Sequence, residues 1–166
     1  MAGETITTAR LTLRRFESGD AQALHAIFSD AEAMRYWSTL PHATLAQTED
    51  FVARTIAACA SNEGDDFAVL CDGALIGKAG LWQSNELGFI FSRRVWGTGL
   101  AREAVTAVLQ RAFANGLGRV RADVDPRNVR CIKLLEKLGF QETGRAMRTY
   151  EIGAEWTDSV YLELVR

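Results

Sequence analysis

The order of strand-like and helix-like segments predicts a mixed α/β domain in which helices pack on a sheet. Segments with the two-residue period of strands and the 3.6-residue period of helices follow in the order β α α β β β α β α β β. The strand–helix–strand unit over 86–124 is long enough for a parallel crossover. The turn Asp72-Gly73, in contrast, joins neighbouring strands into an antiparallel hairpin. We therefore expect a mixed sheet.

The first half of the chain begins with a strand and two helices. Residues 9–16 alternate leucine with threonine and arginine, as in a half-buried strand. Ser18 can cap a first helix whose apolar residues form one stripe. Thr44 and Gln47 have the spacing of a capping box, which predicts that a second helix begins there.

Three strands and a long helix occupy the middle of the chain. Residues 67–71 and 74–82 flank the hairpin turn, and residues 86–91 form a short strand that is nearly all apolar, as strands inside a sheet are. The helix at 101–113 is the clearest element, because its apolar residues recur at i, i+3, i+4 and i+7. The remaining elements are, in order, a strand at 120–124, a helix at 128–138, and strands near 140–146 and 156–165.

Length, composition and charge exclude several classes of protein. The 166 residues fit one domain, 1–166, and 48% apolar with 24% charged residues is ordinary globular composition. A net charge of −2 provides no basic field for nucleic acid. We expect no membrane span, signal peptide or disulfide framework, and three cysteines without a CxxC pair fit a reduced, cytoplasmic setting.

A glycine-containing turn joins the strand at 86–91 directly to the long helix. The N-terminus of a helix directs unpaired N–H groups and partial positive charge at one point, which favours an anion. Gly97 and Gly99 lack Cβ atoms, so phosphate oxygens can approach the main chain, and Arg93 and Arg94 add positive charge. The pattern predicts an anion site best suited to a pyrophosphate.

Two common phosphate motifs do not fit this turn. The dinucleotide pattern GxGxxG fails because residue 102 is arginine, and the P-loop GxxxxGK[ST] is absent. From the glycines alone, a turn that only redirects the chain remains an alternative.

The segment RVWGTG (94–99) matches [Q/R]xxGx[G/A], the pyrophosphate loop of the GNAT acyl-CoA-dependent N-acetyltransferases. The segments VDPRN (124–128) and LLEKLGF (134–140) resemble the next strand–helix unit of that superfamily. GRAMR (144–148), with Gly153, Trp156 and Asp158, resembles the tail of its Rim-type subgroup, whose members acetylate ribosomal-protein N-termini and small amines. The N-terminal TARLTLRRFESGDAQAL is similar too, so the resemblance covers essentially the whole chain.

This resemblance implies a GNAT fold, with a twisted, mostly antiparallel sheet that splays between the fourth and fifth predicted strands, 86–91 and 120–124. Acyl-CoA would lie in the split as cosubstrate. The resemblance assigns the pantetheine arm to Phe89, Ile90, Phe91 and Asn128, and the pyrophosphate to Arg94, Trp96, Gly97, Thr98, Gly99, Leu100 and Ala101. It also implies the reaction: a primary amine, belonging to a protein N-terminus or to a small molecule, attacks the acetyl group directly.

Two residues are candidates for proton transfer. Glu86 begins the splayed strand at a position where related enzymes carry glutamate, and would act as the base; a solvated strand-end carboxylate is the alternative. Cys131 stands three residues after Asn128, where many Rim-type members have serine. Its ordinary pKa is near that of a leaving thiolate, so it is a candidate proton donor, and a packed thiol is the alternative. Tyr150 is a weaker second candidate.

The acceptor and any partners are less defined. In the family, the segment containing Tyr36 and Trp37 borders the acceptor site. Acceptors left open are a peptide N-terminus, an amino acid, an aminoglycoside and a polyamine. The polyamine ranks lower, because the nearby loops supply few carboxylates: Glu86, Glu151, Glu155 and Asp158.

No metal site is expected, because His25 and His42 lie in no cluster with ligand spacing. A homodimer rests on family analogy alone. The second function considered is a non-catalytic module that binds acyl-CoA and senses it.

Overall fold

Eight strands and four α-helices build the described part of the chain, residues 4–83 and 85–166 of a computed structural model. The strands are β1 (Thr5–Thr7), β2 (Leu11–Arg14), β3 (Gly64–Cys71), β4 (Ala74–Trp82), β5 (Glu86–Phe91), β6 (Arg119–Val124), β7 (Gln141–Ile152) and β8 (Glu155–Val165). The helices are α1 (Ala21–Phe28), α2 (Leu45–Ala60), α3 (Leu100–Ala114) and α4 (Val129–Lys137). The strands form one sheet in the order β1-β2-β3-β4-β5-β6-β8-β7.

Local sequence signals fix the element ends near the hairpin and α2. Asp72 and Gly73 have φ of 50° and 78°, as a two-residue turn with both central residues at positive φ requires. The side chain of Thr44 accepts from the third-residue amide of α2, and Gln47 accepts from the Thr44 amide at 3.1 Å. The predicted hairpin and capping box are both confirmed.

The sheet splits between β5 and β6. These two strands are parallel and paired at Glu86 opposite Arg121, where the Arg121 N–H donates to the Asn85 carbonyl at 2.8 Å. Elsewhere β5 is paired along its length with β4, and β6 with β8, all antiparallel. Each strand is therefore held on its outer edge and free on its inner edge, which confirms the predicted splay.

Helices cover both faces of the sheet. α1 and α2 pack over one face around Phe28, Val52 and Ile90, and α3 and α4 pack over the other around Val108 and Leu135. No helix in the described ranges combines the length and apolar character needed to cross a bilayer.

The alternation of side chains along β5 assigns its residues to these two faces. Leu87 and Phe91 join the α3–α4 core, whereas Ile90 joins the α1–α2 core. Because the period of a strand is two, Glu86 and Gly88 lie on the same face as Ile90. Glu86 is thus on the α1–α2 side of the split.

Two features of the sheet differ from the sequence prediction. β1 was not predicted, because three residues are too few to show a period. The hairpin β7–β8 extends beyond the predicted 140–146, because its register shifts between Ala146 and Tyr150, where Arg148 has φ of +52°. Such a bulge interrupts the alternation on which strand prediction relies.

Candidate active site

A cleft of about 400 Å³ opens where β5 and β6 part. Its walls come from the two strands, the start of α4 and the segment after α1. Among the predicted site residues, those lining the cleft are Tyr36, Trp37, Phe89, Ile90, Phe91, Trp96, Asn128 and Cys131. The split therefore brings together residues that are far apart in the sequence.

The free edge of β5 presents main-chain groups to the cleft. The Asn85 carbonyl points toward β6, since it accepts from Arg121. N–H and C=O groups of alternate residues point to the same edge of a strand, so those of Phe89 and Phe91 also face the split. Those of Ile90 point to β4. The Phe91 carbonyl already accepts from the Trp96 indole. Hence Phe89 and the N–H of Phe91, rather than Ile90, can hydrogen-bond an extended chain in the cleft.

The turn between β5 and α3 presents further amides. A short 3₁₀ turn at Arg93–Val95 uses the amides of Val95 and Trp96 internally. Gly97 and Gly99 follow with φ of +76° and +82°, a region that favours glycine. Within the described residues, their amides have no backbone acceptor. The first-turn amides of α3 add to them, so the turn can bind an anion.

The two arginines before this turn have different roles. Arg93 Nε lies 2.6 Å from an Asp30 carboxylate oxygen, an ion pair that ties the turn to the end of α1. Arg94 has no carboxylate partner among residues 4–83 and 85–166, and its Nε donates to the Ser92 hydroxyl at 3.4 Å. Of the two cations predicted from the sequence, Arg94 is the one available to an anion.

The first turn of α4 forms the wall opposite β5. The Asn128 side chain accepts from the Cys131 amide at 3.3 Å and caps the helix. Its amide nitrogen is left as a donor for the cleft. Burial raises the pKa of Cys131 to about 12, so this thiol stays protonated through neutral pH.

A cluster of acidic groups lies beside the point where the strands part. Burial raises the pKa of Glu86, and the neighbouring Asp123 carboxylate raises it further. The Tyr150 hydroxyl donates to Asp123 at 3.1 Å. Burial and the same carboxylate raise the pKa of Tyr150 to about 12.

Asp123 is a site residue that sequence reasoning missed. It alternates on β6 with the buried Val124 and Ala122, which places it on the face opposite α3 and α4. The sequence signal was that alternation, together with the position of β6 next to the splayed strand.

The segment after α1 closes the cleft on the α1–α2 side. The guanidinium carbon of Arg127 lies 5.7 Å from the centroid of the Tyr36 ring. Arg127 forms ion pairs at 2.7 Å with both Asp125 and Glu155. Trp37 packs on Phe28, with ring centroids 5.7 Å apart. Tyr36 and Trp37 therefore form a wall that ion pairs connect to β8.

These groups together suit transfer of an acyl group from a long, anionic donor. The open strand edge can align an extended arm, and the amides after it can bind phosphates. A carboxyl group with a raised pKa, that of Glu86, lies on the α1–α2 face of β5. Among the described residues, no group of three or more His, Cys, Asp or Glu side chains is arranged to hold a metal ion.

Comparison with known proteins agrees with this geometry. The family model described as an acetyltransferase (GNAT) domain matches residues 10–141. An uncharacterized N-acetyltransferase, p20, of Bacillus licheniformis is 34% identical over 157 residues, covering 89% of this chain and 88% of that protein.

Two further proteins show the range of relatives. The spermidine N(1)-acetyltransferase of Escherichia coli (strain K12) is 27% identical over 155 residues, covering 89% of this chain and 82% of that protein. The crystal structure of RimL, a ribosomal L7/L12 alpha-N-protein acetyltransferase, superposes with a TM-score of 0.90 at 14% identity, covering 99% and 95% of the two chains. The likeness to RimL shows a shared fold.

The carboxyl group of Glu86 should titrate above its ordinary pKa, and replacing its acidic neighbour should lower that value. Asp123→Asn keeps the size of the side chain and an acceptor for Tyr150, but removes the negative charge. Side-chain carboxyl NMR across a pH titration measures the midpoint. Glu136→Gln, an exposed change on α4, serves as the control and should leave it unchanged. An unaltered Glu86 midpoint in Asp123→Asn would contradict the arrangement.

Proposed function

Because the chain belongs to the GNAT family of acetyl-CoA-dependent N-acetyltransferases, we propose that its cleft moves the acetyl group to a primary amine by direct attack. The observation that carries this proposal is the split between β5 and β6. A free strand edge and the turn after it follow one another along the chain, and Glu86, the proposed base, lies on the α1–α2 face of the same strand.

The donor follows the main chain. The pantetheine arm would hydrogen-bond along the inner edge of β5 at Phe89 and Phe91, opposite the side-chain amide of Asn128. The pyrophosphate would bind the amides of Gly97, Gly99 and the start of α3, beside Arg94. The turn residues proposed to surround it are Trp96, Thr98, Leu100 and Ala101.

The acceptor approaches from the α1–α2 face, between Glu86 and the wall of Tyr36 and Trp37. A primary amine attacks only in its neutral form, so a proton must leave it, directly or through water. Glu86 is proposed to take that proton. The tetrahedral oxyanion would meet a main-chain N–H of β5, a donor that needs no reorganisation during the reaction.

The raised pKa values of neighbouring groups support this assignment. A carboxylate whose pKa moves toward neutrality is a better proton acceptor at that pH. Asp123 contributes to the shift of Glu86, and the Tyr150 hydroxyl keeps Asp123 in place. Asp123 and Tyr150 are therefore proposed as positioning residues for the base.

Cys131 is proposed to assist the leaving sulfur and not to carry the acetyl group. With a pKa of about 12, about one thiol in 10⁵ is ionised at pH 7, which disfavours a covalent acetyl-cysteine. Proton transfer from Cys131 to the departing thiolate is uphill for the same reason. A hydrogen bond from the protonated thiol to that sulfur is the role that remains.

The acceptor is proposed to be a cationic amine with further positive or polar character. Glu32, Asp123 and Asp125 line the cleft, and of these Asp125 is already neutralised by its ion pair with Arg127. Polyamines ranked lower in the prediction from sequence because fewer carboxylates were expected near the acceptor. A protein N-terminus and a small-molecule amine both remain in the proposal.

The cellular setting follows from the cysteines and the cosubstrate. All three cysteines are free thiols, and proteins with unpaired thiols are typical of reducing compartments. We propose a cytoplasmic location, and retain the homodimer as a prediction from family analogy.

Gly97→Glu should weaken CoA binding by about 30-fold or more, because it brings a negative charge to the amides that bind the pyrophosphate. Gly97→Ala is the matched control. Both variants carry the strain of φ +76°, and a Cβ at this position meets open space, so alanine should cost less than about fivefold. Isothermal titration with CoA measures both. If Gly97→Glu bound CoA as tightly as wild type, the pyrophosphate would not bind at this turn.

Glu86→Gln should lower kcat for acetyl-CoA turnover with the best amine of a panel by about 10- to 1000-fold, with CoA affinity nearly unchanged. The base must be ionised to act, so wild-type kcat/KM should rise with pH through the raised pKa of Glu86. The acidic limb should disappear in the variant.

The same panel separates the two candidate functions. Turnover of acetyl-CoA with an amine supports the enzyme. Micromolar CoA binding without turnover of any amine would favour the non-catalytic sensing module. An acidic limb that survives in Glu86→Gln would remove Glu86 from the base role.

Cys131→Ser should keep or raise kcat, because a hydroxyl also donates a hydrogen bond to the sulfur. Cys131→Ala should lower kcat by about 3- to 30-fold with little change in KM for acetyl-CoA. Cys71→Ala, on β3, controls for the loss of a partly buried thiol. A fully active Cys131→Ala would show that Cys131 only packs.

A further inference from the structure

A cation–aromatic contact crosses the cleft between its two walls. The guanidinium carbon of Arg130 lies 4.6 Å from the centroid of the Trp96 ring. Arg130 belongs to the first turn of α4, whereas Trp96 belongs to the turn that follows β5, and both line the cleft. The contact therefore spans the split and does not follow one wall.

Trp96 is fixed where the strand edge meets the anion-binding turn. Its indole Nε1 donates to the Phe91 carbonyl at 3.1 Å, the last main-chain acceptor of β5. The next residue is Gly97, whose amide opens the anion-binding turn. The Trp96 ring and the guanidinium on it therefore lie in the same cleft as Cys131 and next to the first of these amides.

Arg130 is exposed, and its guanidinium contacts the Trp96 ring. Neither range of the described chain supplies a carboxylate that pairs with it. Its position near the start of α4 is also electrostatically unfavourable, since the N-terminus of a helix carries partial positive charge. An exposed cation there is stabilised when an anion approaches.

We propose that Arg130, positioned by the Trp96 ring, binds the phosphate groups of acyl-CoA. This inference rests on the proposed function and adds a specific residue to it. A guanidinium suits the role, because it stacks on an aromatic face while its edge donates two parallel hydrogen bonds to phosphate oxygens.

If Arg130 binds phosphate, replacing it should weaken the binding of CoA. Arg130→Gln should raise the Kd of CoA by about 5- to 20-fold in calorimetry, and Arg130→Lys should fall between it and wild type, since lysine keeps the charge without the planar fork. Lys133→Gln removes one positive charge a turn later on the same helix and should stay within twofold of wild type.

A truncated donor separates phosphate binding from a general disturbance of the cleft. With S-acetylpantetheine, which lacks the phosphates, Arg130→Gln should acetylate the best amine at the wild-type kcat/KM. With acetyl-CoA its kcat/KM should fall by the same 5- to 20-fold. Equal losses with both donors, or a CoA Kd within twofold of wild type, would overturn the proposal.

A double-mutant cycle tests the part played by Trp96, with melting temperatures confirming that each variant folds. Trp96→Leu removes the ring, and on that background Arg130→Gln should raise the Kd of CoA by less than twofold more. An undiminished Arg130→Gln effect would show that Trp96 does not position the guanidinium. If wild type itself failed to bind CoA, the proposed function would fail, which is a distinct result.

Discussion

The separation of β5 from β6 is the constraint on which the rest of the site depends. In the described residues, β5 and β6 pair at Glu86 and Arg121. The rest of the inner edge of β5 therefore has no neighbouring strand. Such an edge inside a protein would be costly unless something satisfied it. An extended acyl-CoA arm offers donors and acceptors to such an edge, and this is why we propose that the cosubstrate binds in the split.

The same separation decides the chemistry on each face. Because β5 alternates, Glu86 faces the α1–α2 side, while Phe89 and Phe91 direct their main-chain groups into the split. In the proposed reaction the donor lies along the edge of this strand, and the acceptor approaches from its α1–α2 face. Asp123 and Cys131, the groups proposed to assist this reaction, come from the far side of the split, and burial raises the pKa of Cys131.

Local signals in the sequence predicted much of the fold. The Thr44 capping box, the Asp72-Gly73 turn and the periodic helix α3 each depend on neighbouring residues only. The anion-binding turn was predicted for the same reason, because its glycines and the start of the helix are contiguous. These signals were sufficient to predict a site for the cosubstrate.

The contacts that complete the site join distant segments, and no local pattern encodes them. The Tyr150 hydroxyl reaches Asp123 across β8, and Arg93 is paired with Asp30 at the end of α1. Amide NMR during a titration with acetyl-CoA tests the central claim most directly. The account predicts the largest shifts at Phe89, Phe91 and the glycines of the anion-binding turn. Shifts confined to the outer strands β1 and β2, with none along β5, would contradict it.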